Sequence, residues 1–409
     1  MQHPEHHIFA HTPDTLAAWC DQRGMPAYRA RQILEWVYAH GVADPEAMTN
    51  LSKRDRRILA DEMAFLTGPT VAHQIATDGT QKLLIQWDDR DDAADAGESH
   101  HRAREQVADP LAGTLSRSLP VLGAGGIDYE AGDPARQTEC VMIPAERGPR
   151  RTACISSQVG CPVGCRFCAS GLGGLDGNLS AGRIVEQVWR LAALLRAGER
   201  HNPDPRSQIP NPSRISNIVF MGMGEPLANF AAVTRAVRTL ASDWGMGISA
   251  RRITISTVGM HRAIEKLADE MGLPITLALS LHAPNDDLRR ELIPWAEFTT
   301  IDQLLAACRR WFEKTGREIT LEYVLLGGVN DRPEHAAELA GVARRLRANV
   351  NLIRFNEVGG VPFKRPETAD VRAFQEILRT RGVNAHIRAS RGRDIAAACG
   401  QLRHETSPA

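Results

Sequence analysis

Long apolar runs and a net charge are both missing from this sequence of 409 residues. No stretch reaches the roughly 20 consecutive apolar residues that a membrane-spanning helix requires. Residues 1–10 also lack the apolar core of a secretion signal. Lys plus Arg and Asp plus Glu each number 49, so a polyanionic partner would need a local basic patch rather than bulk positive charge. We therefore expect a cytoplasmic enzyme with no membrane partner.

Cysteine is also sparse, because eight cysteines in a chain of this length are too few for a disulfide scaffold. Four of them nevertheless crowd into fifteen residues, namely Cys154, Cys161, Cys165 and Cys168. Cys399 stands alone near the end of the sequence. In a reducing cytoplasm such a cluster indicates metal or redox chemistry rather than structural cross-links.

The order of the predicted elements indicates an α/β protein. Apolar spacing over residues 1–70 predicts a small helical accessory domain, and residues 71–87, with Asp78 and Gly79 at their centre, predict a β-hairpin connector. Residues 138–409 alternate about six times between β-branched runs and amphipathic helices, which favours a parallel sheet, open or closed into a barrel. In both architectures the ligand site lies in loops at the carboxyl ends of the strands. The predicted strands are 217–221, 252–257, 275–281, 319–326, 350–355 and 385–389.

Residues 88–137 differ from both neighbouring segments in composition. From Asp88 to Pro110 there are eight acidic residues against three basic ones, with no aromatic residue, and glycines follow. A segment with so little apolar content cannot build a core of its own. We interpret residues 88–137 as an acidic, glycine-containing, disordered insertion that contributes no chemistry.

The strongest motif is the cysteine spacing Cys-x3-Cys-x2-Cys at Cys161, Cys165 and Cys168. Zinc would need a fourth ligand, which Cys154 or a distant histidine could supply. A [4Fe–4S] cluster held by three thiolates keeps one iron open, which is useful for chemistry and not for structure. We favour the cluster over zinc. With Phe167 before the third cysteine, on a loop ahead of a helix, the motif resembles the signature of the radical S-adenosylmethionine (SAM) superfamily.

This resemblance implies a fold and a cofactor. The fold is a partial (β/α)6 TIM-like barrel, to which the helical domain of residues 1–70 is added. The open iron would chelate the amino and carboxylate groups of SAM, and one electron from the cluster would split SAM into methionine and a 5′-deoxyadenosyl radical. The protein would supply position and exclude water.

Further candidate ligands follow predicted strands. Gly224 could let the backbone approach a ligand closely, and Glu225 could accept a hydrogen bond from an ammonium group. These two residues resemble the methionine-binding motif of the superfamily. Taken singly, the others would be routine hydroxyls or satisfied core residues. The resemblance assigns SAM ribose, sulfonium and adenine contacts to Ser256, Ser280, Leu281, His282 and Asn356.

Four segments narrow the resemblance to one family: residues 154–161, 222–226, 280–286 and 392–402. They resemble the RlmN-type radical SAM RNA adenine-C2 methyltransferases, which act on large-subunit (23S) ribosomal RNA and on tRNA. The resemblance covers about residues 12–402, apart from the insertion. It makes rRNA and tRNA the expected substrates, and a donor such as flavodoxin or ferredoxin the expected source of electrons for a monomeric enzyme.

The family chemistry implies roles for the two isolated cysteines, Cys154 and Cys399. Adenine C2 is not a nucleophile, so a simple transfer of a methyl cation from SAM cannot work there. The resemblance implies that Cys399 first takes a methyl group from one SAM. A second SAM then yields the radical that removes a hydrogen from this methyl group, and the resulting carbon radical adds to C2. Glu139 would accept the C2 proton, and Cys154 would attack the Cys399 sulfur, leaving a Cys154–Cys399 disulfide.

Other interpretations of these residues remain open. From the residues alone, Glu139 is an exposed strand glutamate, Cys154 a buried core cysteine and Cys399 a small residue on a helix face. A sister enzyme that methylates adenine C8 would carry nearly the same motifs. A non-catalytic iron–sulfur carrier or zinc-stabilised RNA-binding module would need neither Cys399 nor the SAM-contacting residues.

Basic residues could form the RNA surface. In the predicted helical domain they are Arg29, Arg31, Lys53, Arg54, Arg56 and Arg57. A solvated face is the alternative interpretation. Residues 350–409 hold ten Lys or Arg against six Asp or Glu. Arg388, Arg391 and Arg393, close to Cys399, suit phosphate contacts or salt bridges within the barrel.

Overall fold

The amino-terminal part of the protein is helical. The computed structural model describes residues 1–88, 136–201 and 214–402 of the chain. Helices α1 (Pro13–Asp21), α2 (Arg29–Leu34) and α3 (Lys53–Glu62) come first. Thr12 and Ser52 begin α1 and α3 by accepting backbone N–H bonds in the first turn, at 3.3 Å from Thr15 and 3.0 Å from Asp55.

One ten-stranded sheet runs through the described residues in strictly sequential order. It starts with β1 (Thr70–Ile75), β2 (Gln81–Gln86), β3 (Gln137–Pro144) and β4 (Arg151–Cys154), which pair antiparallel. A separate small hairpin, β5 (Gln158–Gly160) with β6 (Leu175–Asn178), follows. The main sheet continues in parallel from β4 with β7 (Asn217–Phe220), β8 (Ile253–Thr257), β9 (Thr276–Ser280), β10 (Ile319–Leu325), β11 (Ala348–Arg354) and β12 (Ala385–Arg388).

Helices alternate with these parallel strands. They are α4 (Ala169–Leu172), α5 (Ala181–His201), α6 (Phe230–Ala241), α7 (His261–Glu270), α8 (Asp286–Leu292), α9 (Ile301–Thr315), α10 (Pro333–Ala343) and α11 (Thr368–Thr380). The predicted α/β alternation is thereby confirmed. The parallel set also includes β4, which the prediction omitted because four residues, Arg151 to Cys154, are too short to show a hydrophobic pattern. Within the described chain, no helix is both long and apolar enough to cross a membrane.

The amino-terminal helices and the sheet share one apolar core. Phe9 packs against Trp189 of α5 with ring centroids 5.8 Å apart, and the Trp189 indole N–H donates to the Val37 carbonyl at 2.8 Å. Glu186 of α5 is buried and accepts hydrogen bonds from Thr67. Helix α5 is therefore the support on which the helical segment rests.

The predicted β-hairpin is present as β1 and β2, with Gly79 at φ +79° in its turn, where a left-handed conformation favours glycine. This turn contacts residues 391–402, which we call the C-terminal arm. The Gly392 N–H donates to Asp78 at 3.0 Å, and the Thr77 N–H donates to Asp394 at 2.8 Å. The arm therefore bridges the first and last strands of the sheet.

The predicted insertion lies between two paired strands. Residues 89–135 are outside the described residues, but both of their ends are placed. The Trp87 N–H donates to the Arg136 carbonyl at 2.8 Å, and Gln86 pairs with Gln137. Gln137, included in the predicted insertion, is instead a buried residue of β3, since its backbone completes the ladder with β2.

Candidate functional site

The three clustered cysteines lie on one loop between β5 and α4. Cys161, Cys165 and Cys168 are half-buried free thiols, packed against an apolar cluster that includes Phe167 and Ile293. Burial raises the pKa of all three thiols, and for Cys165 the neighbouring cysteines act in the same direction. Without a bound cation these side chains therefore stay protonated.

A buried cation faces this loop. The Arg289 side chain of α8 is fully buried and donates to the carbonyls of Val258 and Thr299. Its Nε finds no hydrogen-bond partner among the described residues. Burial lowers the pKa of Arg289 to about 10, while nearby Cys165 raises it. Sequence reasoning missed Arg289, because nothing in the pattern of α8 separates a buried arginine from a solvated one.

The cysteine loop suits a cluster bound by thiolates. Three thiols on a single loop, in apolar surroundings and beside a fixed positive charge, provide soft ligands and partial charge compensation. Within the described residues, no three His, Cys, Asp or Glu side chains are grouped so as to hold a single metal ion. A cubane differs from such a site because each thiolate binds a separate iron.

The structure brings the two isolated cysteines together. Cys154 ends β4, is buried, and packs with Ala397 and Leu402 of the C-terminal arm. Burial raises the pKa of Cys154, and the neighbouring Cys399 thiol adds to the effect. Both cysteines are free thiols in this structure.

Cys399 is held from two directions. Asn356 donates to the Cys399 carbonyl at 3.2 Å, and the Ala169 N–H at the start of α4 donates to the Gly400 carbonyl at 2.8 Å. Cys399 is exposed to solvent. Desolvation by the surrounding protein nevertheless raises the pKa of its thiol to about 11, with Glu322 acting in the same direction and Arg388 against it.

Glu139 shares a sheet face with Cys154, as strand register shows. Cys154 pairs with Val141, which lies two residues from Glu139 on β3. Glu139 is buried at 6% exposure, so the exposed strand position suggested by the residue alone is wrong. Its carboxylate lies 2.6 Å from the Nζ of Lys82, a residue that sequence reasoning did not select. A lysine in an alternating strand is ordinarily solvated, which is why no sequence signal marked it.

The glycine-rich turn after β7 packs against the protein itself. A Cβ at Gly222 would lie 2.7 Å from the Ile155 carbonyl. At Gly224, with φ +99°, a Cβ would lie 2.8 Å from the Ser157 Oγ. That Ser157 hydroxyl is buried and has no hydrogen-bond partner among the described residues. The closest approach made by these glycines is thus to residues 155–158, and the unpaired hydroxyl leaves a donor beside Gly224.

Glu225 is already engaged by the backbone. Its carboxylate accepts N–H bonds from Leu227 at 3.0 Å and Val258 at 2.8 Å. Burial raises the pKa of Glu225, while these hydrogen bonds oppose the change. The Thr257 side chain is a third hydrogen-bond partner. Because a carboxylate has about four lone-pair sites, the side chain is preorganised and still able to accept one bond from a ligand.

Ser256, Ser280 and His282 line neighbouring strand ends. The Ser256 and Ser280 hydroxyls lie 3.2 Å apart. Burial, followed by the charge of Arg289, lowers the pKa of His282 to about 3. The neutral imidazole accepts from the Val324 N–H through Nδ1 at 3.1 Å, which leaves Nε2 to carry the proton.

The predicted residues form one continuous arrangement. The His282 ring packs edge-on against Phe167, next to Cys168, at 5.1 Å between centroids. Leu281, next to His282, is fully buried and supplies packing. Because Asn356 reaches the Cys399 backbone, the strand ends, the cysteine loop and the C-terminal arm meet at the same end of the sheet.

Two parts of the chain match the models of known protein families. Residues 7–64 match the model of the ribosomal RNA large subunit methyltransferase N-terminal domain. Residues 208–340 match the model of the radical SAM superfamily.

Proteins that are similar over nearly the whole chain are named as methyltransferases. The probable dual-specificity RNA methyltransferase RlmN of Rhodopirellula baltica is 39% identical, over 98% of this chain and 91% of the relative. The dual-specificity RNA methyltransferase RlmN of Dichelobacter nodosus is 38% identical, over 97% of this chain and 93% of the relative. A crystal structure of a radical SAM methyltransferase from Sphaerobacter thermophilus superposes with a TM-score of 0.80 at 39% identity, covering 97% of this chain and 99% of that one.

Proposed function

The chain belongs to the RlmN family of radical SAM RNA methyltransferases, and we propose on this basis that it methylates C2 of a specific adenine in large-subunit (23S) ribosomal RNA and in tRNA. The convergence of Cys154, Cys399 and Glu139 at one end of the sheet carries the proposal. A cluster carrier or RNA-binding module would need neither this cysteine pair nor the neighbouring buried carboxylate.

Superfamily membership implies a [4Fe–4S] cluster and SAM. Cys161, Cys165 and Cys168 would hold the cluster, which when bound would supply the electron that splits SAM into methionine and a 5′-deoxyadenosyl radical. We assign two SAM molecules to each turnover, one as methyl donor and one as radical source. The SAM contacts would come from Gly224, Glu225, Ser256, Ser280, Leu281, His282 and Asn356.

The surroundings of the two cysteines fit different tasks. Cys399 is exposed on an arm outside the strands, where it can meet first the methyl donor and then the RNA. Because its thiol pKa is raised to about 11, it rests protonated at neutral pH and must lose this proton as it takes the methyl group. Cys154 is buried in β4 and protonated. Its thiol therefore stays unreactive until the Cys399 sulfur of the RNA adduct lies beside it.

Release of the product is a thiol exchange on a closed-shell adduct, after the C2 proton has passed to Glu139 and the unpaired electron left by radical addition has passed to a one-electron acceptor, a role that the oxidised cluster would fill. The Cys154 thiol loses its proton and attacks the Cys399 sulfur, so that a sulfur–sulfur bond forms and the bond from that sulfur to the methylene carbon breaks. The electron pair goes to the carbon, which takes a proton and becomes the new methyl group. The resulting Cys154–Cys399 disulfide then needs two electrons from an external thiol reductant before the next turnover.

Trapping experiments separate these roles. Cys399→Ala should stop before any attachment to RNA, whereas Cys154→Ala should methylate Cys399, add to the RNA and then stall. Protein purified from cells as Cys154→Ala should therefore carry RNA in a nuclease-sensitive gel shift, and Glu139→Ala should trap RNA as well. Cys140 is a matched control, being buried on the same strand as Glu139, and Cys140→Ala should turn over normally.

Two results would contradict the proposal. Normal turnover by Cys154→Ala, or trapped RNA in Cys399→Ala, would mean that the cysteines have other roles. Mass spectrometry of digested RNA decides the modified carbon, and a methyl group at C8 would replace the proposed regiochemistry.

The remaining assignments concern RNA and the electron source. We propose residues 1–70 as an RNA-contacting module, 71–87 as the hairpin connector, 89–136 as an insertion and 137–409 as the catalytic barrel of a cytoplasmic monomer reduced by flavodoxin or ferredoxin. Two arginines of the helical domain form ion pairs within the protein, because Arg29 lies 3.4 Å from Asp55 and Arg56 lies 3.6 Å from Glu46. Near Cys399, Arg391 lies 2.7 Å from Glu146, whereas Arg388 and Arg393 are exposed and suit phosphate contacts.

A further inference from the structure

Lys82 is a buried basic residue beside the proposed chemistry, and the family motifs do not account for it. It sits on β2, opposite Val141 of β3, and its Nζ lies 2.6 Å from Glu139 Oε1. Glu139 in turn lies opposite Leu84, so Lys82 and Glu139 are a diagonal pair on one sheet face. Both residues are buried, at 8% and 6% exposure.

The same ammonium reaches the C-terminal arm. Lys82 Nζ donates to the Ala396 carbonyl at 3.3 Å, across 314 positions of sequence. Ala396 has φ +49°, a left-handed conformation that is unfavourable for alanine and persists where its surroundings impose it. It precedes Cys399 by three residues. One lysine therefore contacts both the proposed base and the peptide that carries the methylated cysteine.

The pair is better explained by chemistry than by stability. A buried ion pair contributes little net stability, because desolvation of both charges offsets their attraction. Removing the cation alone would leave a buried carboxylate, which tends to keep its proton. A protonated Glu139 could not accept the proton from C2.

We propose that Lys82 is a positioning residue for proton removal, holding Glu139 as an ionised base in register with the arm that bears Cys399. The inference rests on the proposed function. In the step that it supports, the C2–H bond of the adduct breaks, its electron pair stays in the adenine ring, and the proton passes to a Glu139 carboxylate oxygen. The unpaired electron that radical addition leaves on the adduct is lost to a one-electron acceptor, a role that the oxidised iron–sulfur cluster of the proposed function would fill, so that a closed-shell thioether remains. Lys82 neither donates nor accepts a proton in this step.

Lys82→Met tests this role in the full-length, cluster-loaded enzyme, because methionine keeps the length of the side chain and removes its charge. Methylation of Cys399, measured by mass spectrometry of the protein, should stay within about twofold of wild type. The covalent RNA adduct should accumulate and decay at least about tenfold more slowly, which is less than the roughly 10²–10⁴-fold that loss of a general base costs, because Glu139 itself is retained. Adduct decay should slow further with adenine deuterated at C2, an isotope effect that a purely structural role would not produce.

Three further proteins complete the design. Lys82→Arg keeps the positive charge and should restore most of the decay rate. Lys314→Met is the matched control, since Lys314 pairs with Asp269 at 3.1 Å on the surface, and it should behave as wild type. Adding Lys82→Met to Glu139→Gln should cause no further slowing, because the lysine acts through the glutamate.

The outcomes separate this inference from the proposed function. Wild-type protein that methylates neither Cys399 nor RNA would overturn both. Normal adduct decay in Lys82→Met, with active wild type, would overturn the inference alone. Loss of Cys399 methylation in both Lys82→Met and Lys82→Arg, with unfolding temperatures unchanged, would also overturn it, because the lysine would then serve only to dock the arm.

Discussion

Replacing Glu186 with alanine should undo the attachment of the amino-terminal helices to the barrel. Glu186 is fully buried on α5. It accepts from Thr67 Oγ1 at 2.7 Å, lies 2.6 Å from an Arg190 guanidinium nitrogen and 3.3 Å from His7 Nε2. These contacts tie residues before β1 to a helix of the barrel, so a single carboxylate serves both parts of the core.

The expected cost follows from what the alanine leaves behind. Arg190 would keep a largely buried charge without this carboxylate, and breaking a buried ion pair from one side typically costs about 3–5 kcal/mol. The Thr67 bonds belong to the same network, so their loss is included in this range rather than added to it. Against a typical free energy of unfolding of about 5–15 kcal/mol, such a loss is large.

Urea unfolding followed by tryptophan fluorescence measures the effect, because Trp189 lies at this contact. Glu46→Ala is the control: Glu46 is 70% exposed and lies 3.6 Å from Arg56, and an exposed pair is worth roughly 0–1 kcal/mol. A loss in Glu186→Ala no larger than that in the control would refute the reasoning.

The effect of Glu186 should also depend on pH. Burial raises the pKa of Glu186, but the hydrogen bond and charge of His7, with Arg190 and Thr67, outweigh it and leave the pKa below its ordinary value of 4.5. A carboxyl whose pKa is lowered by folding stabilises the protein above the unfolded-state pKa and loses this contribution as the pH falls through the folded-state pKa. The difference between wild type and Glu186→Ala should therefore be full at neutral pH and shrink below pH 4.5.

Three other changes should have distinct results. Gly224→Ala should destabilise the protein by about 2–5 kcal/mol, from a strained φ and a crowded Cβ, and weaken SAM binding in calorimetry. The helical control Gly341→Ala, with open space for its Cβ, should be neutral or stabilising by up to about 1 kcal/mol; equal effects would contradict the assignment. Replacing residues 89–135 with a short turn should preserve methylation, since the chain ends already meet, and a folded but inactive deletion would count against it. Cys165→Ala should lose iron and sulfide after anaerobic purification with its circular dichroism unchanged, whereas wild type holding stoichiometric zinc and no iron would exclude the cluster.

Elements with a local signal were predictable from the sequence. The alternation of strands and helices depends on periodicity within ten or so residues, and the spacing of Cys161, Cys165 and Cys168 fits one loop. Strand β4 was missed because four residues carry no period. The role of Gly222 and Gly224 was predicted incompletely, since a glycine shows that something approaches closely but not what approaches. Here it is the chain itself, at residues 155–158.

Contacts between distant segments had no such signal. Alternation in β2 predicts that Lys82 and Leu84 share a face, but not that Glu139 lies diagonally across from them. That face is buried because the C-terminal arm meets the hairpin turn through Asp78 and Asp394. No periodicity links residues 314 positions apart. The burial of Glu139 and its ion pair with Lys82 could therefore be learned only from the fold.

The contrast between the positions of Cys154 and Cys399 supports the two roles proposed for them. Cys154 is fixed by the ladder between β3 and β4 and is buried among apolar side chains, which would protect a thiol that acts last in the proposed mechanism. Cys399 lies outside the strands, on an arm held by hydrogen bonds with Asn356, the hairpin and α4, which would suit the proposed carrier, since it must meet more than one partner. In the proposed mechanism the two positions complement each other, because exposure leaves Cys399 accessible to a methyl donor and to RNA, whereas burial shields the Cys154 thiol from the methyl donor.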